Sequence, residues 1–179
     1  MKTRKPVGRA AIAAAALALP LTACGGSRDY AVPKQVCGVP LDSGLLSPLL
    51  SSGERLSQDK YDTGRESPRC RLDVDKQTVV YLKGDVIDTK TDPIEVNNQL
   101  LQRLGNPTPV AVGEGGRVAD SGAIAFANCT YQGKPQRFVA YVELSKPVPE
   151  KTSERRDALV AFLRAYLPAA MKAQGCTRP

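Results

Sequence analysis

The sequence predicts an α+β domain: an antiparallel sheet made of two hairpin-plus-helix halves, with the helices packed on one face. Three observations carry this prediction. Two pairs of short segments alternate apolar and polar residues, the period of half-buried strands. Each pair is followed by a polar loop and then by a segment whose apolar residues recur at helical spacing. Residues 37–179, which contain them, have the length of one ordinary domain, so one core suffices. Hairpins with helices to one side make an α+β architecture.

Taken in order, residues 24–36 are rich in Gly, Ser and Pro and poor in apolar side chains. They read as a tether with a reach of at most about 40 Å. Leu41 to Leu50 reads as a short helix with Asp42 or Ser43 as its N-cap and an interruption near Pro48. The first hairpin is expected over Cys70 to Val74 and Thr78 to Val86, with Val80, Leu82 and Val86 on one face and Tyr81, Lys83 and Asp85 on the other. Asp92-Pro93-Ile94-Glu95 then supplies an N-cap, a proline at N1 and a glutamate at N3. The helix it starts runs through Val96, Leu100, Leu101 and Leu104 to a stop at Gly105.

The second hairpin is expected over Ile124 to Tyr131 and Arg137 to Leu144, turning at Gly133-Lys134, with Phe138, Ala140, Val142 and Leu144 on one face. The last helix begins near Ser153. Leu159, Phe162, Leu163, Tyr166, Leu167, Ala170 and Met171 keep helical spacing, Pro168 is expected to kink or split it, and Gly175 to end it. Cys70 and Cys129 stand at the same separation as Leu100 and Leu159, and one inserted residue aligns Tyr81 with Tyr141. The repeated order suggests an internal duplication.

The N-terminus bears the most specific motif. Lys2, Arg4, Lys5 and Arg9 precede an apolar run from Ala10 to Leu21, about 12 residues, the length of a signal-peptide core and too short to span a bilayer. Leu21-Thr22-Ala23-Cys24 then resembles the lipobox of bacterial lipoprotein signal peptides. The resemblance implies that residues 1–23 are removed, that Cys24 carries a diacylglycerol on its sulfur, and that the mature chain is anchored to the extracytoplasmic face of the cell membrane. Of the 25 basic residues, set against 18 acidic ones, four belong to this leader. The remaining charges are interleaved, as in Glu54-Arg55 and Glu154-Arg155-Arg156-Asp157, and form no basic stripe. No nucleic-acid partner is expected.

With Cys24 assigned to lipid, Cys37, Cys70, Cys129 and Cys176 remain. An even number in an exported chain implies two disulfides. Three connectivities are open; one bridge per half, Cys37 with Cys70 and Cys129 with Cys176, is preferred. A four-thiolate zinc site is the alternative, but no CxxC pair exists to begin one.

The run from Gly115-Gly116-Arg117-Val118 to Asp120-Ser121-Gly122-Ala123 is followed by Cys129, the strand to Leu144, the helix from Arg155 to Leu167 and Gly175-Cys176. Together with the Cys37-Gly38-Val39-Pro40 start and the segment Leu45 to Gly53, it resembles small secreted lipoproteins of actinobacteria, those of streptomycetes especially. The resemblance implies location and architecture and carries over no catalytic residue.

Chemistry is sparse. The chain has no histidine, which removes Ser-His-Asp and Cys-His nucleophile systems and histidine-ligated metals, and it has no tryptophan. Carboxylates gather at Asp73, Asp75, Asp85, Asp88 and Asp92, yet they match neither an EF-hand nor another cage spacing, and Asp92 already serves as a cap. Gly113-Glu114-Gly115-Gly116 lacks the Lys-Ser/Thr sequel of a phosphate-binding loop and reads as a plain loop. No cofactor and no metal are expected. Tyr81 and Tyr141, with Val79 and Val139, occupy matched positions on the strand faces turned away from the expected core. Such a patch can mark an interface, and equally a second small core under a loop. The functional expectation is a binding or accessory module for a protein, a cell-wall component or a small apolar ligand. The alternative is a hydrolase or transferase using carboxylates or a Ser/Lys pair.

Overall fold

The computed structural model describes residues 28–61 and 69–178. The chain opens with a small hairpin, β1 (Gln35–Val36) and β2 (Val39–Pro40), turning on Cys37 and Gly38 with positive φ. Asp42 accepts a hydrogen bond from the Gly44 amide and so starts α1 (Ser43–Leu46), which Pro48 converts into a 3₁₀ turn, Ser47–Leu49. The sheet strands follow: β3 (Leu56–Tyr61), β4 (Arg69–Val74) and β5 (Gln77–Asp88). After α2 (Pro93–Val96) and α3 (Asn98–Arg103) come β6 (Thr108–Val110), β7 (Gly115–Val118), β8 (Gly122–Tyr131), β9 (Lys134–Leu144) and α4 (Thr152–Ala173).

The fold is α+β, as predicted: a seven-stranded antiparallel sheet in the order β3-β4-β5-β9-β8-β7-β6, with β1-β2 as a separate pair. Both expected hairpins form. Each turns on two residues of positive φ, Asp75-Lys76 and Gln132-Gly133, the requirement of a type I′ turn. Each half also holds its own disulfide. Cys37–Cys70 ties the β1-β2 turn to β4, and Cys129–Cys176 ties β8 to the end of α4.

Besides the short β1-β2 pair, three strands of the seven-stranded sheet were not legible. β3 is exposed on both faces along most of its length, so no alternation was needed there. β6 is a three-residue edge containing Pro109, and β7 begins with two glycines where a loop was expected. Gly116 allows β7 to approach β8 closely: a Cβ there would lie 2.7 Å from the Ile124 carbonyl oxygen.

The helices correct the expectation that they share one face. α4 lies on the inner face, where Leu159, Phe162, Leu163 and Leu167 pack with Leu72, Leu82, Phe138, Ala140 and Val142. The α2–α3 segment covers the other face, where Leu101, helped by Ile94, Leu100 and Leu104, packs on Ile124, Val139 and Tyr141. The strands between the two helical layers carry apolar residues on both sides, and each side needs cover. Asp92 accepts from the Ile94 and Glu95 amides as the capping pattern requires, but Asn97, at φ −98° and ψ 9°, divides the segment, and Val96 is left 70% exposed. Pro168 sits inside α4 without splitting it. Gly175 at φ +77° closes that helix in a Schellman motif, its amide bonded to the Lys172 carbonyl and that of Cys176 to the Met171 carbonyl.

The duplication does not survive. Leu82 faces Val142 at the centre of the β5-β9 pairing, and a local twofold through that pair does relate Tyr81 to Tyr141. But Cys70 faces Leu82, whereas Val142 faces Ala123 and Cys129 faces Gln136, so the two cysteines are not equivalent. The helices, on opposite faces, break the relation as well.

Residues 28–36 are not a free tether. Arg28 donates to the Ser47 hydroxyl (2.6 Å) and to the Ser47 and Leu50 carbonyls (3.0 and 2.6 Å), closing the exposed end of the 3₁₀ turn. The Asp29 amide bonds the Gly53 carbonyl, Tyr30 donates to the Ser51 carbonyl, and Val36 is fully buried. Cys24 and the leader lie outside the described residues. No helix among the described residues is long and apolar enough to cross a membrane.

Candidate functional site

The outer face of β3, β4 and β5 is built by strand alternation, which turns Asp59 and Tyr61, Arg69, Arg71 and Asp73, and Tyr81, Lys83 and Asp85 to one side. Aromatic rings run across it from the edge inwards. Tyr61 and Tyr81 have centroids 6.5 Å apart with planes tilted by 40°, and Tyr81 meets Tyr141 edge-on, also at 6.5 Å. The Arg71 guanidinium lies 6.0 Å from the Tyr61 centroid and pairs with Asp59 (2.8 Å) and Asp73 (3.5 Å). Asp85 takes Arg69 at 3.0 Å and Lys83 at 2.9 Å.

The structure separates the four residues expected to form an open patch. Tyr141 and Val139 are buried beneath Leu101, 3% and 6% exposed, so they belong to a second small core. Val79 is in the main core. The register between β4 and β5 shifts after Leu72-Val80 to Asp73-Thr78, and this bulge leaves Val79 unpaired and turns it inwards beside Val80. Only Tyr81 remains half-exposed. Sequence reasoning missed Tyr61 because β3 was not recognised and its pairing with β4 is a tertiary fact; Arg71, on the expected strand β4 and opposite Tyr81 in the hairpin register, was within reach of the alternation pattern.

Burial pushes the Tyr81 phenol up to about 12, and hydrogen bonding with Tyr61 adds to the shift. Tyr141 is raised as well, first by burial and then by its hydrogen bond to the Glu143 carboxylate, 2.5 Å away. Neither phenol supplies a nucleophile near neutral pH.

The carboxylates that could serve hydrolysis or hold a cation are otherwise engaged. Asp73 accepts from the Thr78 hydroxyl (2.7 Å), Asp75 from the Glu54 and Arg55 amides, and Asp88 from the Lys90 amide. Among the described residues no group of three or more Cys, Asp or Glu is placed to hold a metal. A cavity of about 130 Å³ lies beside the Cys37–Cys70 bridge, lined by Phe138, Tyr166, Arg69 and Gln174. It falls below the volume that small-molecule sites enclose, about 300 Å³ upwards; two larger hollows, about 340 Å³ beside Pro168 and Met171 and about 430 Å³ between Glu54, Arg55, Asp75 and Lys76, are more open to solvent.

Comparison of the chain with family models, with curated proteins and with solved structures finds no match.

Proposed function

We propose that this protein is a membrane-anchored, extracytoplasmic lipoprotein that works by binding, through the outer face of β3, β4 and β5. Anchoring is supported by the basic leader, the apolar run and the Leu21-Thr22-Ala23-Cys24 lipobox. The likeness to small secreted lipoproteins of actinobacteria supports the same location. Binding is supported by one observation: Tyr61 and Tyr81 stay half-exposed side by side, within a field of paired charges that includes Arg71, Asp59 and Lys83. Flat rings among polar groups suit a partner that offers apolar patches and hydrogen-bonding groups together, either a protein surface or a cell-wall glycan. They suit a small apolar ligand poorly.

The anchor is tested by mass spectrometry of the membrane fraction, where the mature protein should begin at a diacylglyceryl-modified Cys24, and Cys24→Ser should release it. Binding is tested with the native protein on isolated cell walls, and by cross-linking on intact cells. Tyr61→Ala with Tyr81→Ala should lower capture at least tenfold while leaving thermal unfolding cooperative. Undiminished capture by the double variant would sink the assignment of this face.

A further inference from the structure

We infer that the anchored domain meets the membrane with one fixed end, formed by the Gly53-Glu54-Arg55 loop and the Asp75-Lys76 turn, and that its partner there is the lipid headgroup plane. The inference rests on the lipid anchor proposed for Cys24. Only Gly25, Gly26 and Ser27 separate Cys24 from Arg28. Four residue steps span at most about 14 Å even when fully extended. Arg28 itself is held by three hydrogen bonds to Ser47 and Leu50, and it bridges Gly53 in parallel pairing. The leash therefore begins at a known point on the domain surface.

Next to that point the chain is exposed at Glu54, Arg55, Asp75 and Lys76, whose charges balance. Asp75 accepts from the Glu54 and Arg55 amides and makes the loop and the turn one surface. The far end cannot take its place. β5 has 12 residues and leads away from the Asp75-Lys76 turn over about 36 Å. Its neighbour β9 runs antiparallel, which puts the Gln132-Gly133 turn at the opposite end of the sheet. A leash of about 14 Å is too short for the domain to stand inverted on that turn, which would hold Arg28 about 36 Å above the bilayer. Tyr61 ends β3 on the side away from the membrane, which keeps the binding face open.

The test uses mature protein beginning at Cys24, with both native disulfides intact. It is coupled through the Cys24 thiol to a maleimide-headgroup lipid in phosphatidylcholine vesicles that carry nitroxide headgroups. A fluorescent amino acid replaces either Lys76 or Gln132. Strong quenching at position 76 with little at position 132 is expected, and a flexible insertion of about 12 Gly/Ser residues between Ser27 and Arg28 should erase the contrast. Equal quenching at both positions without the insertion, or stronger quenching at 132, would overturn the orientation. Cell fractionation reads the native anchor separately. A soluble native protein would defeat the anchor reading, while the vesicle experiment would still decide which end a Cys24 anchor presents.

Discussion

Arg155 offers the sharpest test of how this fold is held. Its side chain sits in the first turn of α4 and is buried, 4% exposed. The guanidinium donates to the carbonyls of Asp120 (2.5 Å), Pro149 (2.5 Å) and Glu150 (2.9 Å) and to the Thr152 hydroxyl (3.1 Å). One side chain thus joins the β7-β8 turn, the segment before α4 and the helix itself. Arg155→Met keeps much of the apolar stem and removes every donor. Charged hydrogen bonds contribute about 1.5 to 3 kcal/mol each, and a buried carbonyl left without a donor costs about 1 to 3 kcal/mol. Water will reach some of these carbonyls and methionine will fill the space, so a loss of about 3 kcal/mol is expected. With a slope of about 2 kcal/mol per molar urea, the unfolding midpoint should fall by about 1.5 M, measured with both disulfides oxidised. Arg155→Lys should recover less than half of this, because an ammonium cannot reach acceptors on three segments at once. Arg156→Met gives a second reading: that residue is more exposed, but it also donates to the Asn106 and Val118 carbonyls, the Thr108 hydroxyl and the Asp120 carboxylate, and its loss should cost about 2 kcal/mol. The reasoning fails if Arg155→Met unfolds within about 0.3 M of wild type, or if lysine replaces arginine fully.

Alkali should destabilise the domain. Burial pushes Tyr166 and Tyr81 up to about 12, so each folded-state value lies above the unfolded value near 10. Their contribution is complete below about pH 10 and is lost as the pH rises through about 12. Urea midpoints should hold between about pH 8 and pH 9.5 and drop by about pH 11, and a rise over that range would contradict the burial. Each disulfide closes a long loop, the joined cysteines standing 33 and 47 positions apart in the sequence. Replacing both members of either pair by serine should cost about 3 to 4 kcal/mol, and non-reducing peptide mapping of the wild type should find Cys37 with Cys70 and Cys129 with Cys176.

What the sequence determined by itself is what depends on neighbours along the chain. Alternation placed β4, β5, β8 and β9; Asp92-Pro93-Ile94-Glu95 placed a helix start; Gly175 placed a helix end. Each is a local matter of side-chain direction, capping or positive φ, and each pattern lies within a few residues. The pairing of the cysteines was also near to hand, since each bridge stays within one half. What needed the tertiary structure was which side of the sheet each element covers. An amphipathic segment states that it has an apolar face, not which surface will accept it, so the α2–α3 segment closed over Tyr141 and Val139 and turned an expected binding patch into a core. A one-residue bulge drew Val79 inwards, an edge strand without alternation brought Tyr61 beside Tyr81, and Arg28 took the last residues of the expected tether into the domain. These are contacts between residues far apart in the chain, where loop closure and the competition of two sheet faces for cover decide the outcome.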